Sequence, residues 1–236
     1  MQPTPLENKS LNMKLYGSLA SPYVARVVMF AELKGLELPQ ERAPGGMGSD
    51  EFKQINPTGK IPALLVDGQC IAESTVICEY IETVCPQPEL ITLQPLNTAT
   101  TRMIARMTDL YIAPHNSPLS RMRAPEQRDQ AVIDQQAALF AAGFAHIGAF
   151  MDTGPLAAGP APSLGDCALA PFIVMLKHTI FPRFEEIPDP TEGEGRLAEW
   201  WSALTADDQC GAFLDRYDQE LTQFLAFLRK RLEAQG

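Results

Sequence analysis

Residues 60–73, KIPALLVDGQCIAE, constrain the fold most. Two β-rich apolar runs flank Asp67-Gly68, a dipeptide suited to a type I′ turn, whose two central residues both need positive φ. The segment predicts a hairpin, and any sheet in the chain must be built onto it. Upstream, MKLYGS (13–18) reads as a short strand, with Met13, Leu15 and Gly17 alternating with Lys14 and Tyr16. From there Val24, Val27, Val28 and Ala31 recur at helical spacing, and Gly35 is a natural stop. LELPQERA reads as a second strand, PGGMGS (44–49) as a flexible loop, and a short helix over 50–55 ends before Asn56-Pro57. After the hairpin, Val76, Ile77, Tyr80, Ile81 and Val84 line one helical face up to Pro86. The expected order for the first 85 residues is β-α-β-α-β-β-α.

CPQPELITLQP (85–95) carries three prolines and reads as a stiff linker. Beyond it no strand is expected. Helices fit 97–113, with Met103, Met107, Leu110 and Tyr111 on one side, then 125–152, 164–181, 195–205 and 216–234. Pro114 and Pro118 are expected to break the first of these. The domains are therefore a flexible tail over 1–12, an α/β domain over 13–86, a linker over 87–96 and an all-helical domain over 97–236.

Composition narrows the function classes. With 45% hydrophobic and 20% charged residues the chain reads as soluble and globular, and a net charge of −10 argues against a nucleic-acid surface. No apolar run approaches the ~20 residues needed to span a bilayer, and the start lacks the basic-then-apolar order of a signal peptide. Five cysteines without a C-x-x-C, and three histidines far apart, fit no metal site and suggest free thiols in a reducing cytoplasm.

Three local features carry possible chemistry. Ser21-Pro22 opens a helix, since serine favours the N-cap and proline the first helical position. The same helix end carries partial positive charge and unpaired N–H groups, and so stabilises a thiolate. No cysteine occupies the motif, so the sulfur would come from a ligand. Ile61-Pro62 precedes a strand; if its bond were cis, the Ile61 backbone could pair with an extended peptide, and a trans loop proline is the ordinary alternative. Glu73-Ser74 opens another helix, with Ser74 placed as its N-cap. A carboxylate docks readily at such an end, and Glu73 beside it suits an ammonium, so the pair fits the α-amino acid end of a small molecule. Ser163 and Asp166 form an S-x-x-D capping box before an apolar helix, a structural device.

The order of these features resembles a known family. GSLASPYVARVVMFAELKGLEL, INPTGKIPALLVDG and IAESTVICEYIE resemble the thioredoxin-like N-terminal domain of cytosolic glutathione transferases, and PSLGDCALAP (162–171) resembles the start of a central helix in their C-terminal domain. The resemblance implies a thioredoxin-like α/β domain followed by an all-α domain, with glutathione as co-substrate and no metal. It implies that Glu73 and Ser74 bind the γ-glutamyl group, that the Ile61 backbone beside Pro62 pairs with the cysteinyl unit, and that Lys60 meets the glycyl carboxylate. Counted back from Arg26-Val27, Ser21 matches the catalytic serine of the serine-type classes; Ser18 is the rival and Tyr16, on the first strand, a third choice. A small electrophile would lie between the domains against Met103, Arg106, Met107, Tyr111 and His115, residues that equally suit an interhelical core or, for the arginine, a solvated face. A homodimer is expected on the same ground. Isomerases, dehalogenases and ether-cleaving lyases share the bound thiolate, and non-catalytic scaffolds share the fold.

Overall fold

The computed structural model describes residues 12–92, 94–122 and 124–234, so the tail expected over 1–12 falls almost wholly outside the described residues. The chain divides into two compact units, one ending at Leu90 and the other starting at Ile91.

The first unit runs β1 (Met13–Tyr16), α1 (Pro22–Leu33), β2 (Gln40–Glu41), α2 (Asp50–Lys53), β3 (Ala63–Val66), β4 (Gln69–Ala72) and α3 (Ser74–Val84). The sheet order is β2-β1-β3-β4, with β2 parallel to β1 and the β1–β3 and β3–β4 pairs antiparallel. The hairpin forms as expected: Asp67 has φ 47° and Gly68 φ 87°, the two positive values a type I′ turn requires. The second strand is only two residues long. Pro39 just before it has no N–H to give, although its carbonyl accepts from the Leu15 amide at 2.9 Å.

Helix α1 is buried from Val24 through Ala31 and packs on α3. It ends where glycine allows: Gly35 takes φ 69°, and the Gly35 and Leu36 amides donate back to Glu32 and Ala31. The Lys34 amine, which has no exposure, then pairs with Glu82 of α3 at 2.8 Å and also reaches the Pro88 carbonyl. The inner face of α3 is Ser74, Ile77, Cys78 and Ile81, whereas Val76, expected inside, is half exposed. The i, i+3, i+4, i+7 spacing from Ser74 explains the shift, because the stripe starts on a small polar residue.

The second unit is all-helical among its described residues: α4 (Pro95–Met107), α5 (Ala113–Ser120), α6 (Gln130–Phe150), α7 (Leu164–Thr179), α8 (Arg196–Ala206) and α9 (Asp208–Glu233). Pro114 does not break the helix before it. A π-turn over Thr108–Ile112 joins α4 to α5, and the Ala113 amide donates five residues back to Thr108. Proline lacks the N–H that an α-helix would direct to Leu110, and its ring would press on that carbonyl; the wider turn relieves both problems. Pro118 is also tolerated inside α5, which ends two residues later. Gly143 of α6 packs on this turn so closely that a Cβ there would lie 2.5 Å from the Tyr111 carbonyl oxygen.

The S-x-x-D box forms at the start of α7. Asp166 is fully buried and accepts from the Ser163 amide and hydroxyl, the Ala157 amide and the Trp200 indole at 2.7–3.0 Å. Burial pushes its carboxyl up, and these four donors pull the other way. No helix among the described residues is long and apolar enough to cross a membrane.

Candidate functional site

Strand register gathers the three motifs at one end of the sheet. Tyr16, last in β1, lies opposite Ala63, first in β3; Ala63 lies opposite Ala72, last in β4. The segments that carry Ser18 and Ser21, Lys60-Ile61-Pro62, and Glu73-Ser74 therefore emerge side by side. Two strand spacings amount to about 10 Å. An extended tripeptide also spans about 10 Å.

Ser21 is the N-cap of α1, with extended backbone (φ −83°, ψ 126°) and Pro22 following. Its carbonyl takes the first helical bond, from Ala25 at 2.9 Å, but its hydroxyl caps nothing. A serine placed as a cap and not used as one leaves its hydroxyl for another partner, at the positive end of a buried helix. Ser18 is exposed, one turn earlier. Tyr16 is buried in a cluster with Phe52 and Ala63, its ring 5.8 Å edge-on from Phe52, with Ile61 packed against that cluster. Its ring serves as floor beneath the Ile61 segment.

That segment is held from below by Asn56, which is almost wholly buried. The Asn56 side chain accepts from the Thr58 amide and hydroxyl and donates to the Lys60 carbonyl at 2.8 Å. The Ile61-Pro62 bond is cis. Ile61 lends neither its N–H nor its C=O to the turn and loop hydrogen bonds found among the described residues. The Lys60 side chain is exposed and Pro62 is buried.

At the third segment the N-cap of α3 is Glu73, not Ser74, which is the first helical residue. Glu73 has φ 67°, ψ 117° and an exposed side chain. Asp67, the other non-glycine residue of positive φ among those described, is explained by its turn. Glu73 has no such reason, and backbone strain of this kind concentrates where ligands are held. Ser74 is buried, and its hydroxyl accepts from Arg26 Nη1 of α1 at 2.9 Å. Arg26, with no exposure, is the residue that sequence reasoning passed over as a functional group. Its signal is visible: one charged residue inside the apolar run YVARVVMF.

The cysteines whose thiols are shifted, Cys70 and Cys210, are both moved up by burial, the wrong direction for a nucleophile. No group of three His, Cys, Asp or Glu side chains among the described residues could hold a metal.

In the helical unit Met103 and Met107 of α4 are half-buried, and Arg106 and Tyr111 are exposed. His115 is half-buried against α6, with Nδ1 2.9 Å from Gln136 Oε1 and its ring edge-on to Phe140. Tyr111 stands edge-on to His146.

Comparisons with known proteins bear on the family and the fold. Sequence models for the N-terminal and C-terminal domains of glutathione S-transferases match residues 15–89 and 130–205. Maleylacetoacetate isomerase of Rattus norvegicus is 31% identical over 166 residues, 66% of this chain and 74% of that protein. Protein LigF of Sphingobium is 42% identical over 83 residues, 33% of this chain and only 32% of LigF. The crystal structure of the beta-etherase LigF superposes with a TM-score of 0.67 over 86% of this chain and 99% of that one, at 22% identity. The fold is shared over most of this chain, while the 42% likeness to the LigF sequence spans a third of it.

Proposed function

The chain belongs to the glutathione S-transferase family, and from that premise we propose that it activates the glutathione thiol for attack on a small, electrophilic, largely apolar substrate. One observation carries the reading: the uncommitted Ser21 hydroxyl at the opening of α1. An ordinary thiol has a pKa of about 8.5, so lowering it by about two units makes it mostly thiolate at pH 7 and takes about 2.7 kcal/mol. One charge-assisted hydrogen bond contributes about 1.5–3 kcal/mol and a helix N-terminus about 0.3–1. Together they are of the size required.

Glutathione then lies along the sheet end with its cysteinyl backbone against Ile61 beside Pro62, its γ-glutamyl group at Glu73 and Ser74, and its glycyl carboxylate toward Lys60. Ser21 holds the sulfur, with Ser18 as the rival. Met103, Arg106, Met107, Tyr111 and His115 are proposed for the electrophile, and a homodimer for the assembly. The likeness to the rat isomerase favours a second reading, glutathione-dependent isomerisation on the same site; the LigF likeness favours ether cleavage. All use the same bound sulfur.

Calorimetric titration with glutathione tests the common core. Saturable binding, weakened in Ser74→Ala at temperatures well below its melting transition, is the expected result, with the variant melting earlier because buried Arg26 loses the Ser74 contact. No binding at millimolar glutathione would turn the reading toward a non-catalytic scaffold.

A further inference from the structure

Arg26 lies in the middle of α1 with no exposure, in a stretch where every neighbour from Val24 to Ala31 is buried as well. Arginine is rarely placed so, because the charge loses its hydration. Its Nη1 donates to the Ser74 hydroxyl oxygen at 2.9 Å, and its guanidinium carbon stands 5.5 Å from the centre of the Tyr23 ring. Resting on the glutathione reading above, we propose that Arg26 is a positioning residue for the γ-glutamyl carboxylate, acting through Ser74.

Two physical effects combine. A serine hydroxyl rotates freely and both donates and accepts. Arginine has only donors, so the hydroxyl it contacts must present a lone pair to it, which turns the O–H bond away. A carboxylate only accepts, so a hydroxyl already set as a donor meets it without reorientation. The cation behind the hydroxyl adds attraction through a medium of low dielectric. The same bond ties the helix that opens at Ser21 to the helix that opens at Ser74, so it fixes the sulfur end of the ligand relative to the carboxylate end. A residue that merely pinned α1 to α3 would affect every ligand alike.

The test compares two ligands by calorimetry: glutathione, and 4-aminobutyryl-cysteinyl-glycine, which lacks only the α-carboxylate of the γ-glutamyl unit. Arg26→Met is expected to weaken glutathione about tenfold, the loss of roughly one charge-assisted hydrogen bond, while changing the truncated ligand less than about twofold. Arg26→Lys, which keeps the charge, is expected to recover part of the difference. Adding Arg26→Met to Ser74→Ala should cost little more affinity, because Arg26 acts through the Ser74 hydroxyl. Equal weakening of the two ligands, or no weakening, overturns the proposal; if Arg26→Met fails to fold, Arg26→Lys against the same pair decides it. Wild-type protein that binds neither ligand refutes the function proposed above, a result distinct from wild-type binding with no discrimination at Arg26.

Discussion

Replacing Ser21 by alanine separates the two things a serine at a helix opening can do. A serine that truly caps its helix costs about 0.5–2 kcal/mol when removed. The Ser21 side chain makes no capping bond, so Ser21→Ala is expected to cost less than about 0.5 kcal/mol of stability. Its effect on a bound thiolate is much larger. Loss of a charge-assisted hydrogen bond of about 1.5–3 kcal/mol, at 1.36 kcal/mol per unit, raises the bound thiol by about 1.1–2.2 units. A thiol held near 6.5 would then titrate at about 7.6–8.7 and be largely protonated at pH 7. Ultraviolet thiolate absorbance against pH, on the glutathione complex, reads this directly. The lower limb of the pH–rate profile should move up by the same amount, with activity recovering in alkali. A variant that melts early but titrates like wild type would refute the reasoning: Ser21 would be a cap after all, and the sulfur would belong to Ser18 or Tyr16.

The remaining predictions concern the helical unit. Gly143→Val drives a side chain into the Tyr111 carbonyl, where a Cβ alone would sit at 2.5 Å, and should destabilise by about 1–3 kcal/mol in urea unfolding. A wild-type midpoint would show that the π-turn yields freely. Asp166→Ala strands four donors in the interior and should cost about 3 kcal/mol or more, with glutathione affinity preserved in whatever fraction remains folded. A stable variant with lost affinity would move Asp166 from the architecture to the site.

Features that rest on one or two neighbouring residues were legible without the structure. Asp67-Gly68 announces its turn because few dipeptides accept two positive φ values. Gly35 ends α1 for the same reason, and Ser163 with Asp166 forms a box whose partners are three residues apart. What escaped depends on partners far along the chain. Pro114 reads as a breaker until the backbone widens ahead of it and Gly143, on another helix, leaves room for the displaced carbonyl. Arg26 and Ser74 are 48 residues apart, and nothing local to either predicts their bond. Ser74 is read as a cap from its type, but the backbone gives that place to Glu73. For Ser21 the sequence predicts the position well and is silent on whether the hydroxyl is spent there.

The π-turn sets a phase as well as accommodating a proline. Each α-helical residue advances the helix face by about 100°. Along an unbroken α-helix, Met103 and His115 would point about 120° apart; with one residue absorbed in the wide turn they differ by about 20°. The turn thus acts as a one-residue insertion that brings the two ends of a long rod onto a common meridian. Deleting one residue between Thr108 and Ile112 would restore α-helical geometry and leave α5 in phase, whereas keeping every residue and rewinding the turn as plain α-helix would rotate α5 by about 100° relative to Met103 and Met107. The same residues can therefore present two different linings of this rod, according to whether the turn is wound wide or as plain α-helix.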